Sequence, residues 1–381
     1  MDNRLRDIIL DDIRRKGKIT FRDFMDRALY EPDLGYYQKE NPFGQQGSFY
    51  TSVNASESFG KSIARGVFKT ISETNLPANI CEMGAGSGLL ANDILNYFKK
   101  YEKKFYNDLT YTIIEKSEYL INFQKDILKE HLEKVRWIDF HNFSNFKGVF
   151  FSNELVDAFP VHRVIRINDT IKELYVIKYE EKLTFYPDTL STPLLKEYLD
   201  RLNIKLVDKQ IADINLDAVT WIRDLAKKIE KGVIITIDYG FMAEQLYAPF
   251  RMDGTVTCYF KHTQNNDFFE RIGFQDITAF VDFSALKVYG QNAGFDLVNF
   301  MPQWTFLIAS GILNDLSNDM TDLQKASIKS LIMPEGGFGT NFHVIIQSKG
   351  VELTKDFFYK KNSATIFAEL LSKFGDVTES K

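Results

Sequence analysis

The sharpest chemistry-bearing pattern in the chain is Glu82-Met83-Gly84-Ala85-Gly86-Ser87-Gly88-Leu89. It follows an apolar run, 79–83, and precedes a stretch that places Leu89, Leu90, Ile94, Leu95 and Phe98 on one side of a helix. Glycines in such a turn allow positive φ and let a ligand approach the backbone. A dinucleotide fingerprint needs G-x-G-x-x-G, with the pyrophosphate on the helix N-terminus. Here the spacing is G-x-G-x-G, and Leu89 stands where the third glycine would be expected. Glu82 is poorly suited to a diphosphate and well suited to a cationic or hydroxyl-bearing ligand. E-x-G-x-G-x-G is the pattern of S-adenosyl-methionine sites. The competing readings are a tight strand-to-helix turn without ligand and a nucleotide-phosphate loop.

Three further groups follow later strands. Tyr111-Thr112-Ile113-Ile114-Glu115-Lys116 ends a second apolar run in a carboxylate that can accept both hydroxyls of a ribose. Trp137-Ile138-Asp139-Phe140 places an acid and an aromatic after a third run, suited to an adenine amino group and ring or simply solvated. Phe150-Phe151-Ser152-Asn153-Glu154-Leu155-Val156-Asp157-Ala158-Phe159-Pro160 empties a fourth run into Asn153, Glu154 and Asp157. Methyl transfer from a sulfonium needs an in-line nucleophile rather than a metal. A guanidinium nucleophile, with a pKa above about 12, could be clamped and polarised by Glu154 and Asp157. The same residues also suit a helix cap, and the two roles can coexist. Asp238-Tyr239-Gly240 closes a fifth run, with Tyr239 either lining the entry or plugging the sheet end.

The elements that position these groups follow from periodicity. Seven short apolar runs, 79–83, 109–114, 135–138, 148–152, 233–237, 295–300 and 342–347, alternate with helical stretches and predict a seven-strand α/β sheet with crossover helices. Residues 161–186 read as a three-strand meander inserted after the fourth strand, and 238–282 as a long irregular stretch. Before the sheet come amphipathic helices at 5–14, from Thr20 with Asp23 at the capping-box position, and at 57–73. The expected division is 1–76, an N-terminal helical region with a cofactor-covering loop; 77–160 with 231–350, the core; 161–230, the insertion; and 351–381, a helix and tail.

Composition excludes several classes. The chain has 381 residues, 44 % hydrophobic and 26 % charged, with 33 Phe, 18 Tyr and a net charge of −5. Those values are ordinary for a globular protein and leave no bulk basic charge for nucleic acid. Cys81 and Cys258 sit in apolar runs and read as buried small hydrophobes, not a disulfide scaffold. The five histidines are far apart, so no metal site is expected. No apolar run is long enough to span a membrane, and the N-terminus lacks secretory or transit character, so the expected location is cytoplasmic.

The sequence resembles the MidA family of S-adenosyl-methionine-dependent methyltransferases over nearly its whole length. The resemblance rests on Ile19–Met25, Ala28-Leu29-Tyr30, Gly35-Tyr36-Tyr37, Tyr50-Thr51-Ser52, Phe59-Gly60, Glu82–Leu89, Ser152–Pro160, Asp238-Tyr239-Gly240, Gly254-Thr255 and Asp276–Phe283. The Asn-Glu-Leu-x-Asp-Ala-x-Pro and Asp-Ile-Thr…Val-Asp-Phe strings are the specific ones. Departures are Ala85 and Ser87 in the glycine loop, Val53 after Thr51-Ser52, Phe280 before Val-Asp-Phe, and a recast 261–266; they bear on the acceptor more than on the fold. The resemblance implies a Rossmann-like methyltransferase fold and N-methylation of a protein arginine, with a respiratory complex I subunit as possible acceptor and a homodimer as possible state. Cofactor contacts are expected from Thr51, Glu82, Gly84, Ala85, Gly86, Gly88, Glu115, Lys116, Asp139, Phe140 and Asn153, and catalysis from Asn153, Glu154 and Asp157. A non-catalytic assembly factor on the same fold, and a methyltransferase for another acceptor, are the alternatives.

Overall fold

The computed structural model describes residues 4–38, 57–317, 320–333 and 341–358. Its main sheet runs, in spatial order, Asp296–Pro302, Phe342–Lys349, Ile229–Phe241, Phe146–Asn153, Asn79–Met83, Thr110–Ile114 and Val135–Ile138. Every pairing is parallel except the two made by Phe342–Lys349, which is antiparallel to both neighbours. An eighth, two-residue strand, Val281–Asp282, pairs with Gly240 and Phe241. The sheet therefore has eight strands, not the seven expected; a two-residue strand has no period to read.

Strands buried on both faces read as continuous apolar runs, and their side chains alternate between two cores. Val149 and Phe151 point into a core shared with Phe59, Val67, Ile94 and Phe98. Phe150, between them, points into the opposite core with Trp221, Ile222, Phe283 and Leu286. Asn79–Met83 lies between Phe146–Asn153 and Thr110–Ile114, so the chain crosses in opposite directions from it. In sheets of this kind ligands bind beyond the carboxyl ends of the strands at that reversal.

Two smaller sheets flank this layer. One has five strands: His162–Ile167, Thr170–Tyr179 and Lys182–Asp188 of the expected meander, joined by Ile211–Ile214 and by Ile19–Thr20 from the N-terminal region. The other, Thr257–Phe260 with Thr263–Asn265 and Asp276–Thr278, occupies the stretch expected to be irregular. Thr20 then caps the helix Phe21–Tyr30, its hydroxyl accepting from the Asp23 amide at 3.0 Å. That helix packs Phe21, Phe24, Met25, Ala28 and Leu29 into a third core with Val176 and Ile277, which leaves Asp26 and Tyr30 to face the sheet end.

Candidate functional site

The glycine turn is built as its residue types dictate. Gly84, Gly86 and Gly88 have φ of 75°, 53° and 83°, which L side chains rarely adopt. A Cβ on Gly84 would lie 2.7 Å from Leu155 Cδ1. Gly88 ends the turn as N-cap of the helix Leu89–Tyr101. Glu82, 2 % exposed, accepts from the Tyr111 hydroxyl at 2.6 Å, and burial raises its pKa to about 7. Glu115 accepts from the amides of Lys116 and Ser117 at 2.8 and 3.0 Å, and burial raises its pKa. Gln124 ties this edge together: it donates to Gly86 O at 3.0 Å and accepts from Trp137 Nε1 at 2.8 Å. Asp139 caps the following turn through the His141 amide at 2.6 Å, with Phe140 beside it.

The loop after the fourth strand uses a different device. Glu154 has φ of 49° without being glycine, a conformation that costs about 1 kcal/mol or more. Its amide donates to Ile237 O at 3.0 Å, and Asn153 Nδ2 donates to its carboxylate at 3.2 Å. Asn153 Oδ1 is buried without a hydrogen-bond partner. Beneath the loop, Asp238 Oδ2 accepts from the amides of Leu155, Val156 and Asp157 at 3.2, 2.9 and 3.4 Å. Asp157, 4 % exposed, accepts from the Tyr239 hydroxyl at 2.8 Å. Burial raises the pKa of both acids, and Asp157 adds repulsion on Asp238.

These groups converge on a cleft of about 410 Å³. Of the residues singled out in the sequence, Glu82, Gly84, Ala85, Gly86, Glu115, Lys116, Asp139, Phe140, Asn153 and Glu154 line it. Gly88 and Asp157 are not among its lining residues: Gly88 backs onto Gln124, and the Asp157 carboxylate turns into the protein toward Tyr239. Asp157 was expected beside Glu154 as a second arm of a clamp; its burial corrects that placement. Tyr239 is 5 % exposed and plugs the sheet end. Thr51 lies outside the described residues, as do the 41–54 loop and the C-terminal helix and tail from 363.

The sequence puts a cofactor-covering loop within 1–76 but does not single out the described residues that cover the cleft. Asp26, Tyr30 and Tyr37 come from the N-terminal region, and Asp217 from the start of the helix Leu216–Lys228. Tyr30 stacks on Tyr37 at 5.6 Å between centroids and donates to Ala158 O at 2.9 Å. Tyr37 donates to Asp276, whose pKa burial raises to about 7. The Lys116 ammonium sits 3.8 Å from the Tyr30 ring centre. Arg22 bridges to Asp217 at 2.8 Å. Tyr30 and Gly35-Tyr36-Tyr37 were visible as strings, but nothing in their spacing tied them to a strand end far along the chain. Asp26 reads as one more acid on a solvated helix face.

The model of the S-adenosyl-L-methionine-dependent methyltransferase family matches residues 62–301. The chain belongs to this family. Its MidA character, implied by the sequence strings, is supported by its relatives. A Caenorhabditis elegans protein named as a mitochondrial protein arginine methyltransferase NDUFAF7 homolog is 26 % identical over 336 residues, 76 % of this chain and 74 % of that protein. The human mitochondrial protein arginine methyltransferase NDUFAF7 is 24 % identical over 332 residues, covering 79 % and 71 %. A Burkholderia thailandensis protein whose crystal structure holds S-adenosyl-homocysteine is 27 % identical, superposes with a TM-score of 0.86, and is covered to 96 % by 95 % of this chain. The expected cytoplasmic location is overturned by the curated relatives, which are named as mitochondrial proteins.

This MidA methyltransferase takes its methyl group from S-adenosyl-methionine, and the residues present fit that donor. The glycine turn leaves its backbone open to a ligand, carboxylates end the first and second strands of the chain's α/β run, and the orphaned Asn153 Oδ1 awaits a donor such as an amino group. Among the described residues no three His, Cys, Asp or Glu side chains converge to hold a metal ion, and no helix is long and apolar enough to cross a membrane.

Proposed function

We propose that this chain N-methylates an arginine side chain on a protein. The observation that carries the reading is the sign of the cleft. Asp26, Glu82, Glu115, Asp139, Glu154 and Asp217 line it, and Lys116 is the one cation among the described lining residues. Such a cleft attracts a cationic acceptor and repels a phosphorylated one. The names of the curated relatives, protein arginine methyltransferases, support the acceptor class.

When bound, S-adenosyl-methionine supplies an electrophilic methyl on a positively charged sulfur. Gly84, Ala85 and Gly86 present backbone to it, Glu115 takes the ribose hydroxyls, Asp139 and Phe140 take the adenine, and Asn153 Oδ1 takes an amino group. Lys116, over the Tyr30 ring, holds the cover against this edge. Glu154, at the acceptor side, accepts hydrogen bonds from the guanidinium and takes up the proton that the attacking nitrogen sheds. Asp157 acts through Tyr239 and the loop backbone as a positioning residue.

The test is transfer from labelled S-adenosyl-methionine into a lysate of a strain lacking this protein, followed by mass spectrometry of the labelled band. Methylarginine in a discrete protein is expected. Label on lysine, or on no protein, sinks the reading. A respiratory complex I subunit is the first acceptor to assay. We also propose a homodimer, tested by the mass of the protein in solution, and the division 1–76, 77–160 with 231–350, 161–230 and 351–381, tested by limited proteolysis.

A further inference from the structure

Two strings that stand out in the sequence, Gly254-Thr255 and Asp276–Phe283, supply no lining residue to the methyl-transfer cleft. Gly254, Thr255 and Phe280 instead wall a second cavity of about 430 Å³. Its floor is Arg163, 3 % exposed, whose Nε lies 3.0 Å from Asp213 Oδ1 and whose Nη2 donates to Asp253 O at 2.6 Å. Asp213 also accepts from the amides of Thr255 and Val256 at 2.5 and 3.0 Å, so this ion pair is neutral and fixes the wall. The wall's other polar groups are the hydroxyls of Thr255 and Thr257 and the amides of Gln264 and Asn266.

Arg251 differs from Arg163. Its guanidinium packs against the rings of Phe241, Phe250 and Phe280, at 4.9, 5.4 and 5.7 Å, and its Nε donates to Gln245 O at 3.2 Å. No carboxylate lies within ion-pair distance of it among the described residues. The one carboxylate lining the cavity, Asp253, is exposed at the mouth and gives its carbonyl, not its acid, to Arg163. A guanidinium set among rings, its Nε on a backbone carbonyl and no carboxylate beside its other nitrogens, is suited to receive a carboxylate. Beside it Phe250 is 77 % exposed and Met252 36 %, an apolar rim of the kind that marks protein contacts.

One chain of contacts runs from the second cavity toward the loop that carries Glu154. Phe280 packs on Tyr239 at 5.3 Å, and Tyr239 donates to Asp157, three positions after Glu154. We propose that the Arg251 cavity docks an acidic side chain of the acceptor protein, a few residues from the arginine that enters the methyl-transfer cleft. The acidic cleft takes the cation, the guanidinium-bearing cavity takes the anion, and the pair fixes direction as well as identity. Each extended residue of the acceptor adds about 3.3 Å to the reach between the two. The inference rests on the arginine reading for the identity of the first residue, not for the second.

The probes are fluorescein-labelled Gly/Ser dodecapeptides carrying one arginine and one glutamate, the glutamate three to six residues to either side, each with a glutamine twin. Anisotropy measures binding to the full chain with S-adenosyl-homocysteine present. In at least one register the glutamate peptide should bind about tenfold tighter than its twin, and the preference should shrink at high salt. R251E should reverse it and R251M abolish it, both with wild-type affinity for S-adenosyl-homocysteine by calorimetry, which also reports a folded protein. Equal affinity of every pair of twins, or a glutamate preference that survives both substitutions, overturns the proposal. Because binding is read without transfer, peptides that bind with this preference but are never methylated would indict the arginine reading and leave the docking cavity standing.

Discussion

The two loops that line the cleft side by side, after neighbouring strands, reach positive φ by opposite means. At Gly84, Gly86 and Gly88 the conformation is free of side-chain cost, and at Gly84 and Gly88 the missing side chain lets Leu155 and Gln124 pack close. At Glu154 the same region of backbone space is held by a residue with a full side chain, on three amides gripped by Asp238. One loop gives up side chains to make room; the other keeps a strained side chain, which the proposed role of its carboxylate would explain. On the proposed reading the difference separates binding from chemistry, and it can be broken from either side.

The largest effect is expected at Gly84. Gly84→Val puts a branched side chain against Leu155 and strains φ, so affinity for S-adenosyl-methionine should fall more than about 100-fold by calorimetry; wild-type affinity would erase the contrast between the loops. Glu154→Gln should slow methyl transfer by about 100-fold while cofactor affinity stays within about twofold; unchanged turnover would leave Glu154 as a cap. Glu82, whose pKa burial raises to about 7, should make the binding loop sensitive to pH. Below that pH it carries a proton and loses its attraction for a cationic ligand, so affinity should drop by up to about tenfold per unit on acidification, and Glu82→Gln should flatten the profile. Without ligand the sign is opposite. The folded chain holds this proton more tightly than the unfolded one, so stability falls as pH rises between about 4.5 and 7. The smallest effect sharpens the comparison: Glu154→Gly should relieve the strained φ and raise Tm by about 1–2 °C while transfer drops, a gain in stability at the cost of activity.

The sheet and its glycine turn were legible because continuous apolar runs and the G-x-G-x-G spacing are local signals with few physical explanations. Glu115, Asp139 and Glu154 were legible through their place after those runs. Asp157 was not, since the backbone alone decides whether the third residue past Glu154 points into a cleft or toward Tyr239. Val281–Asp282 and Ile19–Thr20 were invisible because two-residue strands exist by virtue of their partners. Asp26, Tyr30 and Asp217 reach the cleft through tertiary packing between segments far apart in sequence, and no period in their own neighbourhoods encodes that meeting.

The strand Phe342–Lys349 pairs with Ile229–Phe241 on one side and Asp296–Pro302 on the other, and among the described residues it is the last strand of the sheet to leave the ribosome. Until it arrives, a nascent chain already holding every described residue of the cleft still presents two unpaired edges, one rich in Ile and the other carrying Leu297, Val298, Phe300 and Met301. A transcript cut short upstream of Phe342 would therefore yield not a weakened enzyme but a sticky one, claimed by chaperones or by aggregates before its glycine turn has met a donor.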